Sequence, residues 1–223
     1  MIDPFFAGHD PQLRQIWQAA TIGIAGAGGL GSNIAISLTR AGIGKLVIAD
    51  FDVVRLTNLN RQQFFRDQVG MPKIAALAQN LSRISQHTLL EPHNIRITPD
   101  NLDALFRRCD ILIEAFDLAD QKQMLIEAWQ SRYPDRPIIA ASGVAGFGNN
   151  NALRQIQSGN LYLLGDGVSE LTPGISPIAP KVAAIANMQA NLCLELLVNC
   201  RDVWPKRPSE NHQGVVKETQ EDK

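Results

Sequence analysis

"TIGIAGAGGLGSNIAISLTRAG", residues 21–42, sets the architecture. It opens with an apolar run, Thr21 to Ala25, of the kind a strand buried on both faces presents. Glycines follow at 26, 28 and 31 in the pattern G-x-G-x-x-G, and residues 29–42 carry a helical pattern closed by Gly42 and Gly44. Strand, glycine loop and helix in this order form the context that the motif needs to hold a phosphate. Gly26 allows the tight turn, Gly28 lets backbone approach a phosphate, and Gly31 lets helix and strand pack closely. The helix start adds N–H groups and a partial positive charge. Glycines kept for packing alone explain the letters less well than their position does.

Outward from this unit, strands and helices alternate. "KLVIAD" (45–50), "TLLEPHN" (88–94), "DILIEAF" (110–116) and "PIIAAS" (137–142) read as strands. Helical patterns cover 71–85, with Pro72 in the first turn, then 100–108 and 119–132. The alternation implies an α/β fold: a Rossmann-like, mostly parallel sheet with helices on both faces. After Ser142 the texture changes. "ALRQI" and "LYLLGD" read as a strand pair, expected as an antiparallel addition in the C-terminal half. A loop with three prolines (167–180) leads into a helix over 180–200. One domain over 1–202 is the economical division, with a polar tail at 203–223 expected to be mobile.

Composition narrows the function. The chain has 223 residues, 45% hydrophobic and 19% charged, which suits a globular domain with a sizeable core. A net charge of −1 argues against a nucleic-acid partner held by the whole molecule. The apolar segment 178–200 contains Lys181, Asn187, Gln189, Asn191 and Glu195, so it reads as a core helix and implies no membrane. The first residues carry acids and prolines and are expected to be no secretory signal. Cys109, Cys193 and Cys200 are far apart, with no C-x-x-C pair; no structural zinc is expected, and a reducing cytoplasm is.

The segment "IADFDVVRLTNLNRQQFF" (48–65) sharpens the ligand. Asp50 lies 19 positions after Gly31, at a strand end, where an acid accepts ribose hydroxyl protons. Asn58, Asn60, Arg61, Gln62 and Gln63 crowd behind it. A dinucleotide needs one pyrophosphate neutralised, and the glycine loop does that. A triphosphate spreads more charge over a longer span and needs cations further away. Arg61 offers a bidentate grip and Lys73, opening the next helix, a point charge. Asn58, Asn60 and Gln62 hold nucleotide oxygens without adding charge. A solvated turn is the plain alternative. Asp117, at the end of the "DILIEAF" strand, reads equally as a Mg²⁺ ligand or as the N-cap of the helix over 119–132.

"GAGGLGSN", "ADFDVVRLTNLNRQ", "VGMPK" and "EAFD", in this order, resemble the ThiF/MoeB superfamily, relatives of the ubiquitin-activating enzymes. The resemblance runs from about Thr21 to Cys200 and points to the short ThiF-like branch. It implies an adenylyltransferase that joins AMP to the C-terminal glycine carboxylate of a small ubiquitin-fold sulfur carrier, a ThiS-like protein ending in Gly-Gly, with thiamine synthesis as the default pathway. Gly29 and Asp50 would contact the adenosine side of ATP, and Asn58 to Arg61 with Lys73 would line the phosphates. Asp117 would hold Mg²⁺. Arg61, Lys73 and Asp117 are thus the expected catalytic residues, and a homodimer the expected assembly. The chain departs from its relatives in places. Leu118 follows Asp117 where many have Asn, Arg14 is a weak match for an arginine lent by the partner's N-terminal region, and no cysteine occupies an evident acceptor loop.

Two other activities use parts of the same set. The tRNA threonylcarbamoyladenosine dehydratases carry a similar "TN-x-NRQ" segment and activate a carboxylate on a nucleoside. An NAD-dependent oxidoreductase explains the glycine loop and Asp50 but gives Arg61, Lys73 and Asp117 no shared task.

Overall fold

The alternating elements close into a seven-stranded sheet in a computed structural model that describes residues 4–170 and 172–199. The strands are β1 (Thr21–Ala25), β2 (Lys45–Asp50), β3 (Leu89–Asn94), β4 (Ile111–Glu114), β5 (Ile138–Ala141), β6 (Arg154–Ser158) and β7 (Leu161–Gly165). Their order across the sheet is β3-β2-β1-β4-β5-β7-β6. All neighbours run parallel except β6, which pairs antiparallel with β7. The antiparallel addition is therefore one edge strand, while β7 continues the parallel sheet. Pro92 is tolerated in β3 because that strand lies at the opposite edge.

The helices are α1 (Pro11–Ala19), α2 (Gly29–Ala41), α3 (Lys73–Ser82), α4 (Leu102–Phe106), α5 (Ala119–Arg132) and α6 (Ala179–Asn199). Strand alternation divides the core in two. Ile22, Ile24, Leu46, Ile48, Ile111 and Ile113 face a cluster that includes Ile34 and Leu38 of α2, Leu77 of α3 and Ile185 of α6. Val47, Ala49 and Leu112 face the other way, onto Phe106 of α4 and Leu125 and Trp129 of α5. Successive strand residues point to opposite faces, so an apolar strand needs cover on both.

Some boundaries differ from the sequence pattern. The helix expected over 71–85 begins at Lys73, because Pro72 is extended and bridges antiparallel to Val53. α1 had no counterpart in the sequence reading, although Asp10 caps it, accepting hydrogen bonds from the N–H groups of Gln12 and Leu13, and Pro11 opens it. α6 is long and apolar enough to cross a membrane, yet it packs against α2 with Val182, Ile185, Ala186, Ala190 and Cys193 buried. The segment 203–223 lies outside the described residues.

Candidate functional site

Strand order reverses between β1 and β4, and it is at such a switch point, beyond the carboxyl ends of the strands, that open α/β sheets hold their ligands. Three loops meet at it: the glycine loop after β1, the segment 51–72 after β2, and residues 115–118 after β4.

The glycine loop is shaped by contacts that no side chain would survive. A Cβ on Gly31 would lie 1.9 Å from the Gly26 carbonyl oxygen, and Gly26 itself has a φ of 103°. Gly28 differs: a Cβ there would meet only the Gln62 amide nitrogen, at 3.8 Å. Gly28 is also the N-cap of α2, and no side chain caps that helix. Open space over a helix N-terminus is what a phosphate requires.

The acid and the polar run are fastened to this loop. Asp50 accepts the Ala27 N–H at 2.7 Å through one oxygen and the Asp52 N–H at 2.8 Å through the other. Its carboxylate ties the glycine loop to the end of β2, leaving its remaining lone pairs for a hydroxyl donor. Asn33 donates to the carbonyls of Gly29 and Arg61, at 2.7 and 3.2 Å. Gln63 donates its amide to Asn33 Oδ1, and its N–H to the Ser32 hydroxyl. Ser32 and Asn33, on α2, thus hold residues 61–63 at the helix start. Sequence reasoning gave them no role, although both stand in the quoted "GAGGLGSN".

This fastening sorts the expected contacts. Gln63 is structural. Asn58 Oδ1 accepts the Arg55 N–H and shapes a turn, while Asn60 Oδ1 accepts from the Arg61 guanidinium at 2.9 Å. The Arg61 aliphatic carbons lie 3.8 and 3.9 Å from a Cβ built on Gly29, so its stem runs along the helix start. Gln62 is buried, and its Oε1 has no partner among the described residues. That oxygen is enclosed by protein, so it is no open acceptor for a ligand.

Lys73 is buried, and its ammonium lies 2.8 Å from the Asp52 carboxylate. Through Asp52 and Asp50 it is linked to Ala27, so the structure joins the cation to the glycine loop. Asp117 is exposed and accepts no hydrogen bond from any described residue. The N-cap of α5 is Leu118, with no side-chain cap bond, so Asp117 does not serve as the helix cap. No group of three or more His, Cys, Asp or Glu among the described residues could hold a metal. A lone carboxylate at the rim fits Mg²⁺ that arrives on nucleotide phosphates, since that ion keeps much of its coordination from phosphate and water.

Behind Asp117 stands Glu114, another residue without a role in the sequence reading. Its side chain is fully buried, and it pairs with Lys122. Burial pushes its pKa up; the Lys122 ammonium and the Phe116 N–H oppose that. Arg14 lies over the Phe6 ring of its own chain, 4.7 Å from the centroid. Cys109 and Cys193 are buried; burial drives the Cys109 thiol up to about 12 and the Cys193 thiol upward too, so neither forms a ready thiolate. Cys200 lies outside the described residues.

Known proteins resemble this chain in sequence over part of its length and in fold over most of it. Ubiquitin-like modifier-activating enzyme 5 of Drosophila melanogaster is 39% identical over 122 residues, covering 54% of this chain and 30% of the relative. The Drosophila persimilis protein of the same name is 48% identical over 84 residues, 37% of this chain and 22% of its own length. The chain therefore spans less than a third of those relatives. In fold, tRNA N6-threonylcarbamoyladenosine dehydratase (TcdA) of E. coli, solved in complex with ATP, superimposes with a TM-score of 0.79 at 22% identity, covering 88% of this chain and 93% of that one. E. coli MccB with ATP gives 0.65 at 19% identity, over 84% of this chain and 58% of that one. The model of the ThiF family matches residues 5–219, and the chain belongs to that family.

Proposed function

We propose that this protein activates a carboxylate with ATP, forming an acyl-adenylate and releasing pyrophosphate. The acid is the C-terminal glycine of a small ubiquitin-fold carrier, ThiS-like and ending in Gly-Gly. The single observation that supports this reading is that the Arg61 stem lies beside Gly29 at the start of α2, while Lys73 is joined through Asp52 and Asp50 to the Ala27 N–H of the same loop. Family membership and the names of the relatives, modifier-activating enzymes, support it.

The carboxylate attacks the α-phosphorus, the P–O bond to the β-phosphate breaks, and pyrophosphate leaves. No general base is required, because an α-carboxyl with a pKa of roughly 3.5 is already ionised. The difficulty is that an anion must approach a polyanion. Arg61 and Lys73 neutralise phosphate oxygens and fix the in-line geometry. Asp117 is the ligand for Mg²⁺, which when bound neutralises phosphate charge. Asp50 orients the ribose. The reading extends to a homodimer in the cytoplasm, with thiamine synthesis as the default pathway.

The test is ATP–pyrophosphate exchange dependent on a carrier ending in Gly-Gly. Exchange with the carrier and none with a truncated tail is expected; no exchange with any such carrier defeats the reading. The near-complete superposition on TcdA favours one alternative, a carboxylate on a modified tRNA nucleoside. Adenylation of tRNA in place of the carrier would select it.

A further inference from the structure

β4 is apolar at Ile111, Leu112 and Ile113, and then ends in a carboxylate with none of its surface exposed, Glu114. Several polar groups around the next turn are engaged. Glu114 Oε1 accepts the Phe116 N–H at 2.7 Å, and Oε2 pairs with the Lys122 ammonium. The Glu114 carbonyl accepts from the Gln189 amide of α6 at 3.3 Å. The Ala115 N–H donates to the Ala25 carbonyl of β1 at 2.9 Å, and the Ala115 carbonyl abuts Gly26. The chain then emerges at Asp117.

The geometry of the pair is that of a clip. Glu114 precedes the turn and Lys122 follows it, on α5, so one ion pair ties both ends together. The helix end supplies no substitute, because Leu118 caps α5 without a side-chain bond. Stability is a poor reason to keep such a pair. Burying the Glu114 carboxylate is costly even with the partly exposed Lys122 beside it, and well-packed apolar residues in place of such a pair are often as stable or more so. What apolar residues cannot do is accept the Phe116 N–H and fix the backbone next to Asp117.

We propose that Glu114 and Lys122 are positioning residues, which hold the turn 115–118 so that the Asp117 carboxylate faces metal-bound nucleotide. This rests on the reading of Asp117 as the Mg²⁺ ligand. Neither residue touches the reacting atoms. Their loss weakens metal-dependent binding and leaves metal-free binding of the nucleotide alone.

The experiment follows a fluorescent ATP analogue bound to the full chain during Mg²⁺ titration, with Mn²⁺ binding followed by electron paramagnetic resonance. Three variants are compared with wild type: Glu114→Gln, the double variant Glu114→Leu with Lys122→Met, and Asp117→Ala. The double variant is expected to melt within a few degrees of wild type while its Mg²⁺ midpoint rises about tenfold, the equivalent of about 1.4 kcal/mol. Metal-free affinity stays within about twofold, well inside that energy. Glu114→Gln keeps an acceptor for Phe116 and loses the charge, so a smaller rise is expected; it decides the matter if the double variant does not fold. A wild-type Mg²⁺ midpoint in the folded variants overturns the proposal. A wild-type midpoint in Asp117→Ala instead overturns the metal assignment beneath it, so the two failures are distinguishable.

Discussion

The Lys73 ammonium lies 2.8 Å from the Asp52 carboxylate, and the partners are unequally exposed: 8% of the lysine side chain against 45% of the aspartate. A buried cation is thus leashed to an acid that remains open to solvent. Under the proposed function, an incoming polyphosphate would be attracted by one and repelled by the other. Asp52→Asn keeps an oxygen for Lys73 and removes the repulsion. Nucleotide affinity should tighten about fivefold, matching the roughly 1 kcal/mol of a partly exposed charge pair. Fluorescence titration measures it; weaker binding would mean that Asp52 serves chiefly to aim the lysine.

Arg61 and Asp117 make the sharper demand on activity. Arg61→Ala and Asp117→Ala should each lower exchange by about 10² or more, the loss typical of one preorganised group that stabilises transition-state charge. Circular dichroism should show both variants folded. Asp117 accepts no hydrogen bond from any described residue, and the Arg61 guanidinium donates to Thr57 and Asn60 within its own segment. Full Mg²⁺-dependent exchange in Asp117→Ala would contradict its assignment.

Gly28 and Gly31 should fail differently. Gly31→Ala places a Cβ 1.9 Å from a backbone oxygen, so the strand–helix unit must break or shift, and little soluble protein is expected. Gly28→Ala brings its Cβ near only a side-chain nitrogen, at 3.8 Å. Its stability should stay within about 1 kcal/mol of wild type. Nucleotide affinity should nonetheless fall at least about tenfold, because the methyl occupies phosphate space. Thermal melts and nucleotide titration separate the two, and a Gly28→Ala protein that binds normally would remove the phosphate from the loop.

Lys181 ties three connections together. Its buried ammonium donates to the Asp166 carboxylate at 2.7 Å, the Ala145 carbonyl at 2.8 Å and the Ser169 hydroxyl at 3.2 Å. Lys181→Met should destabilise by about 3–5 kcal/mol by stranding a buried carboxylate. Burial alone would raise the Asp166 pKa, but Lys181 and the N–H groups of Ser169 and Val168 outweigh it and hold the carboxyl well below its usual range. A depressed folded-state pKa contributes stability in full above the unfolded value, about 3.9, and loses it as pH falls through the folded value. Stability measured by chemical denaturation should therefore fall more steeply below about pH 4 for wild type than for Lys181→Met.

The described cysteines should be silent. With Cys200 changed to serine, native protein should take up no thiol reagent, because Cys109 and Cys193 are buried with raised pKa values. Labelling in native buffer, compared with denatured protein, is the measurement. Rapid native labelling would reopen a covalent sulfur step at one of them.

Sequence and structure agree where the signal is local. The run Thr21–Ala25, the glycines at 26, 28 and 31 and the Gly42 cap write strand, turn and helix within 22 residues, and each is found there. Arg61, Lys73 and Asp117 were legible as residue types at strand ends and a helix start. Less legible was what each is bound to. The amides of 58–63 look alike in sequence, yet Gln63 fastens the loop to Asn33 while Gln62 keeps an unpartnered acceptor. α1 could have been found from Asp10-Pro11, a short local cap signal.

The succession of the parallel units, the glycine loop and the acid that ends β2 can all be read along the chain, because hydrophobic period and glycine sterics act between near neighbours. The pairing of charges cannot. Lys73 with Asp52, Glu114 with Lys122 and Lys181 with Asp166 meet across separate elements. Such pairs form where packing excludes water from at least one partner, and exclusion of water belongs to the assembled fold, not to any stretch of residues.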